Sequence, residues 1–474
     1  MRKALLALLV LVTMGAVGTG PGGRAWAGQA EDALVARHGF TADAVGYLVF
    51  ELESGRAVAA QQPDRPFIPA SVAKVPTVAA ALALLGPDHR FTTAVHATGP
   101  VRGGVVQGDL VLRGGGDPSL ATEGLTDLAA RLRAAGITGV TGRFLYDATA
   151  LPELPEIDGG QPWSAGYNTG VGALSLNFNR FQLVWGRTAD GRVELSAWSV
   201  SDVGRHPLDS ITLTAAAGRA VPLEPQARDH WMVTPSAGLA QRVWLPVARP
   251  ALATAVVFRQ VAAEAGIALP APEPGTVPAG AVPVAAHDGP PLAVLARQVL
   301  RWSNNLTAEM IGLAASRRLD AAAGGAGPST LDRSATLLQG WLTRNADADW
   351  RGLRLVNHSG LSSAARATPR QMAALLRAAG PALWELLPGE EEGKSLPPGV
   401  RAKSGTLAYA KGLAGVLPGG RRGFVLFIAD DQARRRLDAA MDRRVAEMPP
   451  EARAWLDRAR ALQGDLVALW AAGR

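Results

Sequence analysis

The chain has 474 residues, a formal net charge of +7 and no cysteine. With 48% hydrophobic residues it can bury a sizeable core, and it must do so without disulfides; thiol catalysis is excluded as well. The mild basic excess suits an anionic polymer without specifying one, and no basic run is interleaved with aromatics, which argues against nucleic acid as a partner.

Arg2 and Lys3 open the chain, Ala4 to Val17 is almost wholly apolar, and Ala25-Trp26-Ala27 places small residues around a cleavage point. This predicts a secretory signal peptide over residues 1–27 and an exported, periplasmic mature chain. No later segment reaches the ~20 apolar residues of a membrane-spanning helix.

Residues 31–38 read as a short helix. Val45 to Leu52 and Ala57 to Ala60 flank Ser54-Gly55 as a β-hairpin. A helix is predicted from about Ser71 to Leu85, stopped by Gly86-Pro87, with Pro76 costing a hydrogen bond inside its second turn. From 91 to 282 short β-rich runs dominate: Val106 to Leu112, Arg143 to Tyr146, Phe181 to Trp185, Val193 to Trp198, Ile211 to Thr214 and Arg242 to Pro246. The pattern there gives a lone helix, Ala253 to Ala265, and the Pro-rich stretch Pro270 to Pro291 reads as an exit linker.

Helical periodicity returns over Leu292 to Leu300, Leu306 to Arg318, Leu331 to Arg344 and Pro369 to Ala378. Strands follow at Val400 to Leu407, Gly412 to Leu417 and Gly423 to Ile428. Pro450 to Ala472 closes the chain with Trp455, Ala459, Leu462, Leu466 and Leu469 on one helical face. Asp457 and Asp465 favour docking of this helix on its own domain, so peripheral membrane contact is not favoured. The expected fold class is α/β (α+β), a domain built from both chain ends, 28–90 and 283–474, around a large, mostly β insertion at 91–282.

Only five of the 48 basic residues are lysine: Lys3, Lys74, Lys394, Lys403 and Lys411. Where positive charge alone is wanted the chain uses arginine, which keeps its proton; a buried lysine can become a neutral base near pH 7. Ser71-Val72-Ala73-Lys74 is an S-x-x-K element at a helix start, so the Lys74 amine shares a face with the Ser71 hydroxyl and can take its proton. Ser303-Asn304-Asn305 is an S-x-N turn able to bind a peptide amide and relay a proton to a leaving group. Lys403-Ser404-Gly405-Thr406 is a K-[ST]-G-T strand, where Gly405 permits close approach of a substrate backbone and the lysine and hydroxyls suit a carboxylate. Each element is weak alone. In this order they form the set shared by β-lactamases and penicillin-binding proteins.

With these residues the chain resembles the class C low-molecular-mass penicillin-binding proteins, the serine D-Ala-D-Ala carboxypeptidases and endopeptidases. Pro69-Ala70-Ser71 to Leu85-Gly86-Pro87-Asp88, Gly108-Asp109-Leu110 to Gly116-Asp117-Pro118, and Ala173-Leu174-Ser175-Leu176-Asn177 all look like segments of that family, as does the long insertion between Ser71 and Ser303. The resemblance implies a penicillin-binding-protein/β-lactamase-like transpeptidase domain acting on peptidoglycan stem peptides through an acyl-enzyme on Ser71. It gives Lys74 and Ser303 catalytic roles, makes Asn305, Lys403, Ser404, Gly405 and Thr406 substrate-binding, places an oxyanion hole at the N–H groups of Ser71 and Thr406, and makes β-lactams covalent inhibitors. It implies no cofactor and no metal.

Three departures stand out. Asn357-His358-Ser359-Gly360-Leu361-Ser362 replaces the family's frequent D-G-S-G-L-S, Ser404 stands where threonine is commoner, and Glu390-Glu391-Glu392-Gly393 is short and acidic. His358 is expected to be structural or at the surface rather than a base. A β-lactamase-like hydrolase shares the motifs but has no use for so long an insertion; a non-catalytic wall-binding protein would have lost Ser71, Lys74 or Lys403. H-E-x-x-H, G-x-S-x-G and P-loop motifs are absent, and the histidines lack metal-ligand spacing.

Overall fold

A computed structural model describes residues 28–473 apart from 219–220, 237–238 and 446; the expected signal peptide lies outside the described residues. A five-stranded antiparallel sheet organises one part of the chain, in the order Arg401–Leu407, Ala410–Val416, Arg422–Ala429, Val45–Glu51, Ala57–Gln61. Both chain ends therefore meet in one sheet, with Val45 opposite Ile428 and Glu51 opposite Arg422.

The interior strand Val45–Glu51 is apolar almost without alternation because both of its faces are covered. Leu48 and Phe50 point into a core shared with the helices Lys74–Leu85, Leu292–Trp302, Asn305–Ala322 and Pro369–Trp384. Tyr47 and Val49 point the other way, where Phe424 and Leu426 join Trp455, Leu462, Leu466 and Trp470 of the C-terminal helix Pro450–Ala471. Each such side chain, fully buried, contributes about 1.5–3 kcal/mol of transfer free energy. Trp470 Nε1 also donates to Glu31 Oε1 at 3.2 Å, and Asp465 pairs with Arg37, so the terminal helix is fastened to Gln29–Arg37. No helix among the described residues is long and apolar enough to cross a membrane.

The intervening chain has a core of its own, in which Leu112, Phe144, Phe181, Leu245 and Phe258 are buried together. Its largest sheet runs Pro272–Pro274, Phe144–Asp147, Leu110–Arg113, Thr92–Ala97, Val282–Asp288, and a four-stranded sheet runs Gly204–Pro207, Val193–Ser201, Arg180–Arg187, Arg242–Pro246. Two expectations need correction here. Pro270 to Pro291 is not simply a linker, because it supplies both edge strands of the larger sheet. Edges are where proline is tolerated, since its missing N–H would face outward, and Pro283 adjoins a register shift. The helix Ala253 to Ala265 (observed as Pro250–Glu264) is not alone either: Thr122–Ala134 buries Leu125, Leu128, Ala129 and Leu132 on one face.

The serine-bearing segment also differs from expectation. Ala70–Ala73 is a 3₁₀ turn and the α-helix starts at Lys74. Pro76 therefore falls in the first turn, where an N–H has no intrahelical partner, and the expected loss of a hydrogen bond does not arise.

Candidate active site

The site forms where the 3₁₀ turn, a corner between two helices and an edge strand converge. Ser71 sits in the turn after Ala70, whose backbone is left-handed (φ 47°). Two glycines let neighbouring chain approach this turn. A Cβ at Gly360 (φ +72°) would lie 1.9 Å from the Ala70 carbonyl oxygen, and one at Gly405 would lie 2.6 Å from the Pro69 oxygen and 3.0 Å from the Ser71 nitrogen. The edge strand Arg401–Leu407 thus passes directly over the serine.

Lys74 is fully buried, with Nζ 2.9 Å from Ser71 Oγ, 2.7 Å from Asn305 Oδ1 and 2.8 Å from the Ser359 carbonyl oxygen. Burial brings its amine down to about 7, against the opposing charge of Glu309. Neutral lysine is thereby populated near neutral pH, and in that state the Ser71 hydroxyl donates to it.

Ser303 ends the helix Leu292–Trp302 in a left-handed conformation (φ 60°), and Asn304 caps the next helix by accepting from Thr307 N–H at 2.9 Å. This corner turns Ser303 toward Lys403, whose Nζ donates to Ser303 Oγ at 2.9 Å and to the Ser404 carbonyl at 2.5 Å. Lys403 is buried and held well below the ordinary lysine range, first by desolvation and then by the charges of Lys74, Lys394 and Lys411. Asn305, expected to bind substrate, has its amide engaged within the protein: Oδ1 takes Lys74 and Nδ2 donates to the Tyr167 carbonyl at 3.1 Å. Ser404 and Thr406 remain accessible on the edge strand, with Gly405 buried between them.

Sequence reasoning missed two participants. Lys411, opposite Thr406 on the neighbouring strand, donates to its hydroxyl at 2.8 Å and is brought to about 8 by burial. The scarcity of lysine was its signal: all four lysines beyond residue 27 lie in this electrostatic neighbourhood. Glu309 is fully buried and accepts from the N–H groups of His358 and Ser359, both at 2.9 Å. Burial pushes its carboxyl up. Nothing in its own stretch of sequence marks it.

The departures resolve locally. Asn357 Oδ1 accepts from Gly360 N–H at 2.9 Å, closing the turn. His358 points away from the serine, with Nε2 2.6 Å from Ser334 Oγ, and burial lowers it to about 3, so it is neutral and structural. Glu391 and Glu392 pair with Arg401 and Arg297. Ser71, Ser303, Asn305 and Thr406 line one cleft of about 570 Å³, together with Gln161 and Tyr167 from the insertion and Arg434.

A serine hydroxyl against a desolvated lysine, a second serine–lysine pair beside it and an open strand edge for an extended peptide define a serine acyl-enzyme peptidase. The chain belongs to the D-Ala-D-Ala carboxypeptidase 3 (S13) family, which matches it over residues 29–448, and it is a serine-type D-Ala-D-Ala carboxypeptidase. It is similar to the D-alanyl-D-alanine carboxypeptidase of Actinomadura sp. (strain R39), 28% identical over 420 residues that cover 79% of this chain and 75% of that one. A carboxypeptidase of Mycobacterium tuberculosis is 26% identical over 398 residues, 77% of this chain and 71% of that one. Among solved structures, penicillin binding protein 4 of Haemophilus influenzae superposes with a TM-score of 0.69 at 19% identity, covering 88% of this chain and 96% of that chain. The fold is therefore that of a penicillin-binding protein, as the motifs implied.

Proposed function

We propose that Ser71 is the nucleophile and that Lys74, in its neutral form, is its base. The observation that carries this reading is the buried Lys74 amine 2.9 Å from Ser71 Oγ. Lys74 takes the hydroxyl proton as Ser71 Oγ bonds to the carbonyl carbon of the penultimate D-Ala. The oxyanion is met by the N–H groups of Ser71 and Thr406, which Gly405 allows to come together. Ser303, held by Lys403, relays the proton taken up by Lys74 to the departing D-Ala amine as the C–N bond breaks, which returns Lys74 to its neutral form. Water, deprotonated by Lys74, then cleaves the ester.

Lys403 with the hydroxyls of Ser404 and Thr406 receives the terminal carboxylate, while Lys411 fixes the Thr406 hydroxyl. β-Lactams acylate the same serine. The substrates are peptidoglycan stem peptides, with internal cross-links as a second class of bond, and the protein works outside the cytoplasm after removal of residues 1–27. The test is hydrolysis of a D-Ala-D-Ala peptide by wild type and Lys74→Arg, which keeps the charge but cannot accept a proton. The variant should lose about 10²–10⁴-fold in kcat/KM. Near-normal turnover would show that Lys74 acts only as a charge.

A further inference from the structure

The insertion presents an aromatic ledge that the catalytic chemistry does not use. Phe178 and Trp244 are large rings left 42% and 41% exposed, and the Arg180 guanidinium lies between them, 6.0 Å from the Phe178 centroid and 5.6 Å from that of Trp244. Among the described residues no carboxylate pairs with Arg180. A cavity of about 290 Å³ opens beside the three side chains and is bordered by Glu123, Ser201 and Asp202.

The backbone is constrained to present this ring. Asn177, Phe178 and Asn179 are three consecutive left-handed residues, with φ of 49°, 57° and 52°. That conformation is costly for a bulky side chain and persists only where its surroundings over-determine it. Both asparagines do so: Asn177 Nδ2 donates to Thr122 Oγ1 and Ser199 Oγ at 2.9 Å, and Asn179 Nδ2 donates to the Gly170 carbonyl at 2.8 Å and to Ser175 Oγ at 2.9 Å. Phe178 is left pointing outward between two pinned neighbours.

The ledge is linked to the catalytic cleft through one short stretch of chain, Gly166 and Tyr167. The atoms nearest to a Cβ built on Gly166 are Arg180 Cδ at 3.4 Å and the Trp244 carbonyl oxygen at 3.8 Å. The next residue, Tyr167, lines the cleft and accepts from Asn305 through its carbonyl.

We propose that Phe178, Arg180 and Trp244 form a carbohydrate subsite that holds the glycan strand from which the stem peptide hangs. Flat exposed rings match the C–H faces of pyranoses, and the guanidinium with the carboxylates of Glu123 and Asp202 supplies donors and acceptors for hydroxyl and acetamido groups. The mixture of both charge signs around exposed aromatics suits a neutral polyhydroxylated chain. The subsite rests on the cell-wall reading of the catalytic centre, and it would let the enzyme ride on the polymer while presenting peptide ends to Ser71.

The experiment is calorimetric titration of the purified protein with soluble glycan strands freed of their stem peptides by amidase digestion, and with neutral N-acetylglucosamine oligomers in parallel because amidase leaves a carboxylate on each muramic residue. Hydrolysis of a short synthetic D-Ala-D-Ala peptide is measured in parallel. Wild type should bind the strands, and Trp244→Ala should weaken binding about tenfold while leaving peptide hydrolysis unchanged. Phe178→Gly relieves the left-handed strain, so it should keep or raise the melting temperature and still weaken glycan binding about tenfold, which a merely structural role for Phe178 would not give. Trp244→Phe should restore most of the binding. Absence of glycan binding by wild type, or undiminished binding in Trp244→Ala and Phe178→Gly, overturns the subsite. Failure of the peptide assay would instead count against the catalytic assignment.

Discussion

Glu309 and Lys74 act on one turn from opposite sides: the Glu309 carboxylate accepts the Ser359 N–H at 2.9 Å, and the Ser359 carbonyl accepts from Lys74 at 2.8 Å. The acid therefore both holds the turn that positions the base and supplies the negative charge that resists its deprotonation.

The sign of that coupling gives a prediction. Burial lowers the Lys74 amine to about 7 and Glu309 opposes the fall; the charge of Lys74 in turn helps to hold Lys403 low, and His358 is neutral. Removing the Glu309 charge takes away the opposing influence, so Lys74 loses its proton at lower pH. In Glu309→Gln the acidic limb of the pH profile for acylation by benzylpenicillin should move to lower pH. The limiting rate should also fall about tenfold, because the amide cannot accept from both N–H groups of the turn. An unmoved limb would mean that Glu309 is purely structural.

Lys403 is buried in the edge strand, and the proposed function has it meet the terminal carboxylate of the substrate. Lys403→Ala should reduce hydrolysis of a D-Ala-D-Ala peptide by about 10²–10³-fold. A substrate with an amidated terminus should be poor for wild type and lose less in the variant. Equal proportional losses on both substrates would leave Lys403 only its electrostatic role toward Ser303.

Gly360 sets the approach of its turn to the nucleophile. Gly360→Ala places a methyl group against the Ala70 carbonyl oxygen in a backbone with φ +72°. Both effects push the 3₁₀ turn, so the acylation rate should drop by at least about tenfold, with a melting temperature lowered by several degrees. An unchanged acylation rate would show that the turn tolerates displacement.

Deleting residues 451–474 should expose Tyr47, Phe424 and Leu426, which the C-terminal helix covers. Thermal unfolding of the truncated protein should begin well below that of the full chain. Unchanged stability combined with loss of liposome binding would assign the helix to a membrane surface instead.

The proposed catalytic centre could be read because its motifs are local in sequence: Ser71 and Lys74 lie three residues apart, Ser303 sits at a helix corner, and Lys403 to Thr406 form one strand. The family reading followed from their order and is borne out over residues 29–448. Glu309 was not legible and Lys411 was marked only by the scarcity of lysine, because their roles depend on partners fixed by tertiary packing, a backbone turn 49 residues away for Glu309 and a cross-strand pairing for Lys411. In the insertion, the prolines of Pro272–Pro274 and Val282–Asp288 read as linker because sequence does not tell an edge strand from a loop. The helix Thr122–Ala134 carries a readable face in Leu125, Leu128, Ala129 and Leu132, but β-rich runs on either side drew the reading toward strands.

The most direct test of the account is mass spectrometry of the intact protein after incubation with benzylpenicillin, followed by peptide mapping. One penicilloyl group should be found, on the peptide containing Ser71, and it should be absent from Ser71→Ala while that variant keeps the wild-type melting temperature. An adduct on another residue, or one undiminished in Ser71→Ala, would contradict the assignment of Ser71 as the nucleophile.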